Sequence, residues 1–233
     1  MKRATTLFLT GAALVLLAAP QAKAQTFTYG DNWVNWPGYT SSLDDENGWP
    51  KIDHMDVTIS SIGNNNYLDK VSIVLHNSTT RLSFDSLFIS TGGAWDSWDY
   101  FVHNGGNQNT AHTDGDVPTT DGLYKVDSDY TYTYVKDYYR IGNPNGIDAN
   151  DLTLIDDSFE ATQNGLQILY DFSNLTDKIS IDPDDFFVAY APYCDNDIIG
   201  GGTAPVPEPA TMLLFGTGLA GLATIGRKKM KRD

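Results

Sequence analysis

The chain has 233 residues, 15 basic against 30 acidic, and a formal charge of −15 near neutrality. So acidic a chain repels phosphate backbones and offers no basic stripe to offset that, which excludes nucleic acid as a partner. Its single cysteine, Cys194, excludes an intrachain disulfide and, lying beside an apolar run, reads as a small buried side chain.

The N-terminus has the three parts of a secretory signal. Lys2 and Arg3 form a positive start, residues 7–19 are apolar and uncharged, and Ala22-Lys23-Ala24 puts small residues at the two positions a signal peptidase needs. An apolar run of about 13 residues is shorter than the roughly 20 a spanning helix requires. The expected signal peptide is therefore 1–24, cut by signal peptidase between Ala24 and Gln25.

Residues 25–199 then suit one domain with a real core. Their periodicity is that of strands. Val57 and Ile59 alternate with Thr58 and Ser60, and Val71, Ile73 and Leu75 share one face. Tyr130, Tyr132 and Tyr134 alternate with Thr131 and Thr133, which predicts a half-buried strand. Residues 166–172 read as another strand, and Phe186 to Tyr190 as a strand buried on both faces. Gly63 to Asn66, Asn104 to Asn107 and Asn143 to Gly146 read as polar turns, and residues 105–122 as a long surface loop. Only residues 148–155 suggest a helical turn. Many short strands between polar turns predict an all-β fold, an antiparallel β-sandwich of jelly-roll type.

No catalytic fingerprint appears: no Gly-x-Ser-x-Gly elbow, no His-Glu-x-x-His, no phosphate-cradling glycine loop. No catalytic residue is predicted. His54, His76, His103 and His112 are spread along the chain without ligand spacing. Trp33, Trp36, Trp95 and Trp98 lie among Asp and Asn, the mixture of flat rings and hydrogen-bonding groups that a sugar-binding surface needs. The competing reading is that these rings cap the core. Asp182, Asp184 and Asp185 offer hard oxygen ligands in a turn, as do Asp148 with Asp151 and Asp114 with Asp116, so calcium is the candidate metal. None has the EF-hand spacing. No other cofactor is indicated.

The C-terminus is the most specific segment. Gly200-Gly201-Gly202 reads as a flexible linker (200–209) leading to Pro207-Glu208-Pro209. An uncharged apolar segment, 210–226, follows, and then a basic end, 227–233, that stays cytoplasmic by the positive-inside rule. Outside those end segments the chain holds 7 basic and 28 acidic residues, a net of −21.

Residues 206–233 resemble the PEP-CTERM sorting signal. The resemblance implies an exported protein of a Gram-negative bacterium, destined for the cell envelope, outer surface or extracellular polysaccharide matrix. It also implies that exosortase, a membrane-embedded cysteine-protease-like enzyme, recognises Pro207, Glu208 and Pro209. Until then 210–226 would hold the protein in the membrane. For the domain itself two readings stay open: a non-catalytic module associated with exopolysaccharide, or a secreted carbohydrate-active enzyme using two aspartates.

Overall fold

The computed structural model describes residues 23–31, 51–76, 86–93, 97–105, 113–136, 141–142, 144–192 and 197–203. Strand β1 (Lys23–Gly30) pairs with β2 (Ile52–Ile62), which turns back through Gly63 and Asn64 into β3 (Asn65–Leu75). Gly63 takes φ +65°, open to glycine without cost, and only two residues of the expected Gly63–Asn66 turn are needed. Period-2 alternation buries Met55, Val57 and Ile59 from β2, and Leu68, Val71 and Ile73 from β3. The ladder breaks twice, leaving Asp53 on β2 and Asp69 on β3 as extra, bulged residues.

Three antiparallel sheets result. The five-stranded sheet runs β1-β2-β3-β12-β11, with β11 Thr162–Asn164 and β12 Gln167–Asp171. The six-stranded sheet runs β10-β7-β5-β4-β13-β14, built from β4 Ser86–Ser90, β5 Tyr100–His103, β7 Gly122–Val126, β10 Leu152–Asp156, β13 Phe187–Ala191 and β14 Ile199–Gly202. The smallest runs β6-β8-β9, from β6 Thr113–Asp114, β8 Tyr132–Val135 and β9 Pro144–Ile147. The one helical segment among the described residues is a 3-10 turn, Ala149–Asp151, at the place where a helical turn was expected.

The six-stranded sheet is apolar on both faces. Leu87, Ile89, Val102, Leu123, Val188 and Tyr190 join the inner face of the five-stranded sheet in one core. From the opposite face Phe88, Phe101, Tyr124, Ala189 and Ala191 pack with Trp98 and Ile147 in a second. This explains why β4 is buried at all five positions and why the Phe186–Tyr190 run carries no polar residue.

The tyrosine strand is half-buried, with Thr133 and Val135 buried in β8, Tyr130 and Tyr132 packed against the second core, and Tyr134 exposed. Three expectations change. Of the expected Asn143–Gly146 breaker, Pro144 to Gly146 enter the sheet in β9, with Asn145 the extra residue of a bulge opposite Thr133 and Tyr134, and Asn143 lies outside the described residues. The 105–122 loop contributes β6.

The supposed linker is strand too. Gly200–Gly202 belong to β14, hydrogen-bonded to β13 with Gly202 opposite Phe187, so the domain runs past residue 199. Its glycines are required by packing. The Tyr29 ring of β1 lies against Gly201 so closely that a Cβ there would fall among the ring carbons, and a Cβ on Gly202 would meet the Phe186 carbonyl. Thr203 closes the strand, its N–H bonded to the Phe186 carbonyl at 3.0 Å and its hydroxyl to the Pro183 carbonyl at 2.9 Å.

Candidate functional site

Trp98 is not a sugar platform. It is 4 % exposed, its Nε1 donates to the Tyr132 hydroxyl at 2.7 Å, and its ring packs against Phe88 and Phe187 at 5.3 and 6.2 Å. Trp33, Trp36 and Trp95 lie outside the described residues, as do Pro207, Glu208, Pro209 and Cys194. Ala24 and Gln25 are exposed residues of β1, opposite Ser60 and Ile59.

Three of the aspartates expected to hold calcium, Asp182, Asp148 and Asp151, accept hydrogen bonds from backbone N–H groups. Asp182 Oδ1 accepts the Asp184 N–H at 3.0 Å, while the Asp182 carbonyl accepts the Asp185 N–H at 3.1 Å. Asp148 Oδ1 caps the 3-10 turn by accepting the Asn150 N–H at 3.0 Å, and Asp151 Oδ2 accepts both the N–H and the hydroxyl of Thr131 at 2.7 Å. Such turns are what Asp side chains make most readily. Among the described residues, no three His, Cys, Asp or Glu side chains form a ready-made metal group.

A crevice separates the six-stranded sheet from β8 and β9. Ser86, Phe101, His103, Thr113, Thr133 and Asn145 line it, around an empty volume of about 220 Å³ that opens partly to solvent. Asn145 is its hub. The Asn145 carbonyl accepts the Ser86 hydroxyl at 2.6 Å, Oδ1 accepts the Thr133 hydroxyl at 3.0 Å, and Nδ2 donates to Thr113 Oγ1 at 2.9 Å. Gly146 lets the strand in, since a Cβ there would come 2.8 Å from Thr133 Oγ1.

Ser86 stands opposite His103 in register, and His103 Nε2 lies 3.9 Å from Asp121 Oδ1. A serine, a histidine and an aspartate thus meet, but Ser86 is 2 % exposed and its proton is committed to the Asn145 carbonyl. Ser86 is therefore not presented to a substrate here, and the Asn145 hydrogen bonds join the two sheets.

A second cluster sits on the β2–β3 hairpin, and spacing in the sequence hides it. His54 Nδ1 is 2.6 Å from Asp53 Oδ2, and its Nε2 is 3.7 Å from Asp56 Oδ2. His76, just past the end of β3, brings Nδ1 to 3.7 Å from Asp53 Oδ1. A regular strand would turn neighbouring residues to opposite faces; the bulge at Asp53 lets its carboxylate meet the ring of His54. The hydrogen bond from His54, assisted by both imidazoles, holds the Asp53 carboxyl below its usual range. The signal that finds this pair is register: counted back through the Gly63-Asn64 turn, Val74 falls opposite His54, and His76 follows two residues later.

These features define an all-β protein of antiparallel sheets in which Asp148, Asp156, Asp171 and Asp182 fasten turns. Among the described residues no helix is long and apolar enough to cross a membrane. Residues 205–229 match the PEP-CTERM protein-sorting motif. The chain therefore carries the signal of a protein sorted by an exosortase system, with exosortase as its processing partner and export to the cell envelope or surface as its destination. No curated protein and no solved structure matches the chain significantly.

Proposed function

We propose that the all-β region is a jelly-roll-like β-sandwich acting as a non-catalytic module, structural or associated with exopolysaccharide, at the bacterial surface. The observation that carries this reading is the sorting motif beginning at residue 205, two residues after Thr203 fastens the last strand. A sandwich is supported by the single core shared between the five- and six-stranded sheets. A non-catalytic role is supported by Asp148 and Asp182, whose carboxylates are engaged in turns, and by the buried, donor-committed Ser86.

In this reading the chain enters the export route on its 1–24 signal. Signal peptidase cuts between Ala24 and Gln25, and β1 keeps Gln25 to Gly30. Segment 210–226 then holds the protein in the membrane, basic end inward, until exosortase acts at Pro207, Glu208 and Pro209. With 28 acidic and 7 basic residues outside the end segments, the module favours a neutral polysaccharide over an anionic one.

The test has two arms in the native host. Glu208→Ala should leave export intact and block tail processing, read as intact mass; processing at the normal rate removes the sorting role of the motif. The protein incubated with host exopolysaccharide should be retained without releasing reducing ends. Steady release, abolished by changing one aspartate, would replace the module with an enzyme.

A further inference from the structure

We propose that His54, Asp53 and His76 form a binding site for a divalent transition ion of the zinc type, with Asp56 supporting His54 from behind. Two of the chain's four histidines meet at one carboxylate, although 21 residues lie between them in sequence. Imidazole suits zinc-like ions, whereas calcium and magnesium prefer all-oxygen sets.

The donors are neighbours but are not yet arranged about one ion. His76 Nδ1 lies 3.7 Å from Asp53 Oδ1, and His54 Nδ1 lies 2.6 Å from the other oxygen, Oδ2. In a tetrahedral site with bonds of about 2.0–2.1 Å, neighbouring donor atoms stand about 3.3 Å apart. The Asp53 carboxylate must therefore turn so that one oxygen faces both imidazoles. Side-chain rotation suffices, because His76 is 67 % exposed, Asp53 51 % and His54 30 %. The group is assembled by the ion rather than held ready for it.

The backbone around the donors is fixed. The Asp53 carbonyl accepts the Asp31 N–H at 3.0 Å, and the His76 N–H donates to the Lys51 carbonyl at 2.8 Å. Behind His54 stands the partner that metal-bound imidazoles ordinarily have. Asp56 Oδ2 is 3.7 Å from Nε2, and Thr28 Oγ1 from β1 donates to Asp56 Oδ1 at 2.5 Å, holding the carboxylate in place. When Nδ1 of His54 binds the ion, Nε2 carries the proton and points at that carboxylate, which fixes the ring and strengthens it as a ligand. Three protein donors leave the fourth position to water. The negative surroundings favour a dication.

The experiment is calorimetric titration of the full chain, in detergent, with Zn²⁺ alone and with Mg²⁺ at matched ionic strength. One Zn²⁺ per chain is expected, with Mg²⁺ unable to compete. His54→Gln and His76→Gln should each weaken Zn²⁺ binding at least about tenfold, since loss of a supporting partner alone costs about 10–100-fold. Asp56→Asn should weaken it less than either. His76 is exposed at a strand end, so its variant is expected to keep the wild-type circular dichroism and melting temperature without metal. Zn²⁺ bound with unchanged affinity by both histidine variants, Zn²⁺ no tighter than Mg²⁺, or no stoichiometric binding at all would each overturn the site.

Discussion

Trp98 and Tyr132 are joined by a hydrogen bond of 2.7 Å, indole N–H to phenol oxygen, that ties the approach to β5 to the small sheet covering the second core. Tyr130 stands edge-on to Tyr132 at 5.4 Å and continues the contact. Trp98→Phe should lower stability by about 1–3 kcal/mol, from the lost bond and the space left behind. Retention on polysaccharide should not change. Chemical denaturation checks the first outcome and a pull-down the second; reduced retention by a variant of native fold would return Trp98 to the binding surface.

Asn145 is the second fastening. Asn145→Ala strands the hydroxyls of Thr113 and Thr133 while keeping the backbone carbonyl for Ser86. Each orphaned buried group costs about 1–3 kcal/mol, so a loss of about 2–4 kcal/mol is expected in urea melts. Adding Thr133→Val to the variant should recover part of it, because the second change removes one of the stranded groups.

Acid should unfold the domain, and the direction follows from four aspartates. Asp53 and Asp156 are pulled down first by hydrogen bonds from His54 and Ser158 respectively. Asp148 and Asp171 feel burial most, which alone would raise them, yet donors from Asn150 and Asp116, and from Ser173 and Lys70, carry them below the ordinary value. Each folded-state value lies under the reference of 3.8, so the unfolded chain takes up protons first as pH falls. Their stabilisation is complete above about pH 3.8 and is lost below it. The melting temperature should drop as pH falls below about 3.8, and Ser158→Ala should shrink that drop. An unchanged drop in the variant would remove the Asp156 turn as a contributor.

Gly201 should tolerate no side chain. Gly201→Ala drives a methyl into the Tyr29 ring, an overpacking cost of about 1–3 kcal/mol or more, and pairing it with Tyr29→Ala should give less than the sum of the two. Burial pushes the Tyr29 phenol from 10.0 up to about 12, so the part of the stability it carries is present below pH 10 and lost as pH rises toward 12. Absorbance at the phenolate band follows this titration directly, and additive single-mutant costs would break the claimed contact.

Much of this was legible before the fold was known. The β2–β3 hairpin and the doubly buried Phe186–Tyr190 run follow from periodicity alone, and the sorting motif from its own residues. What failed shares a cause: residues whose local preference is overruled by a distant neighbour. Asn145 and Gly146 read as breakers, yet a bulge and a close sheet-to-sheet approach are where strands use such residues. Gly200–Gly202 read as a linker because the ring that forbids a larger residue is in β1. His54 and His76 meet only when register is counted through a turn and two bulges.

The contact between Tyr29 and Gly201 also sets a clock. The two residues are 172 positions apart in the chain (201 − 29), and they belong to the first and last strands among the described residues. A polypeptide made from its N-terminus must therefore hold β1 against β2 with one side incomplete until almost everything else has emerged. Phe27 waits in the same way for Phe186, whose ring it meets edge-on at 5.2 Å. Closure is thus a late event, and the residues that complete it directly precede those matched by the sorting motif. The last strand is therefore finished just before the address begins.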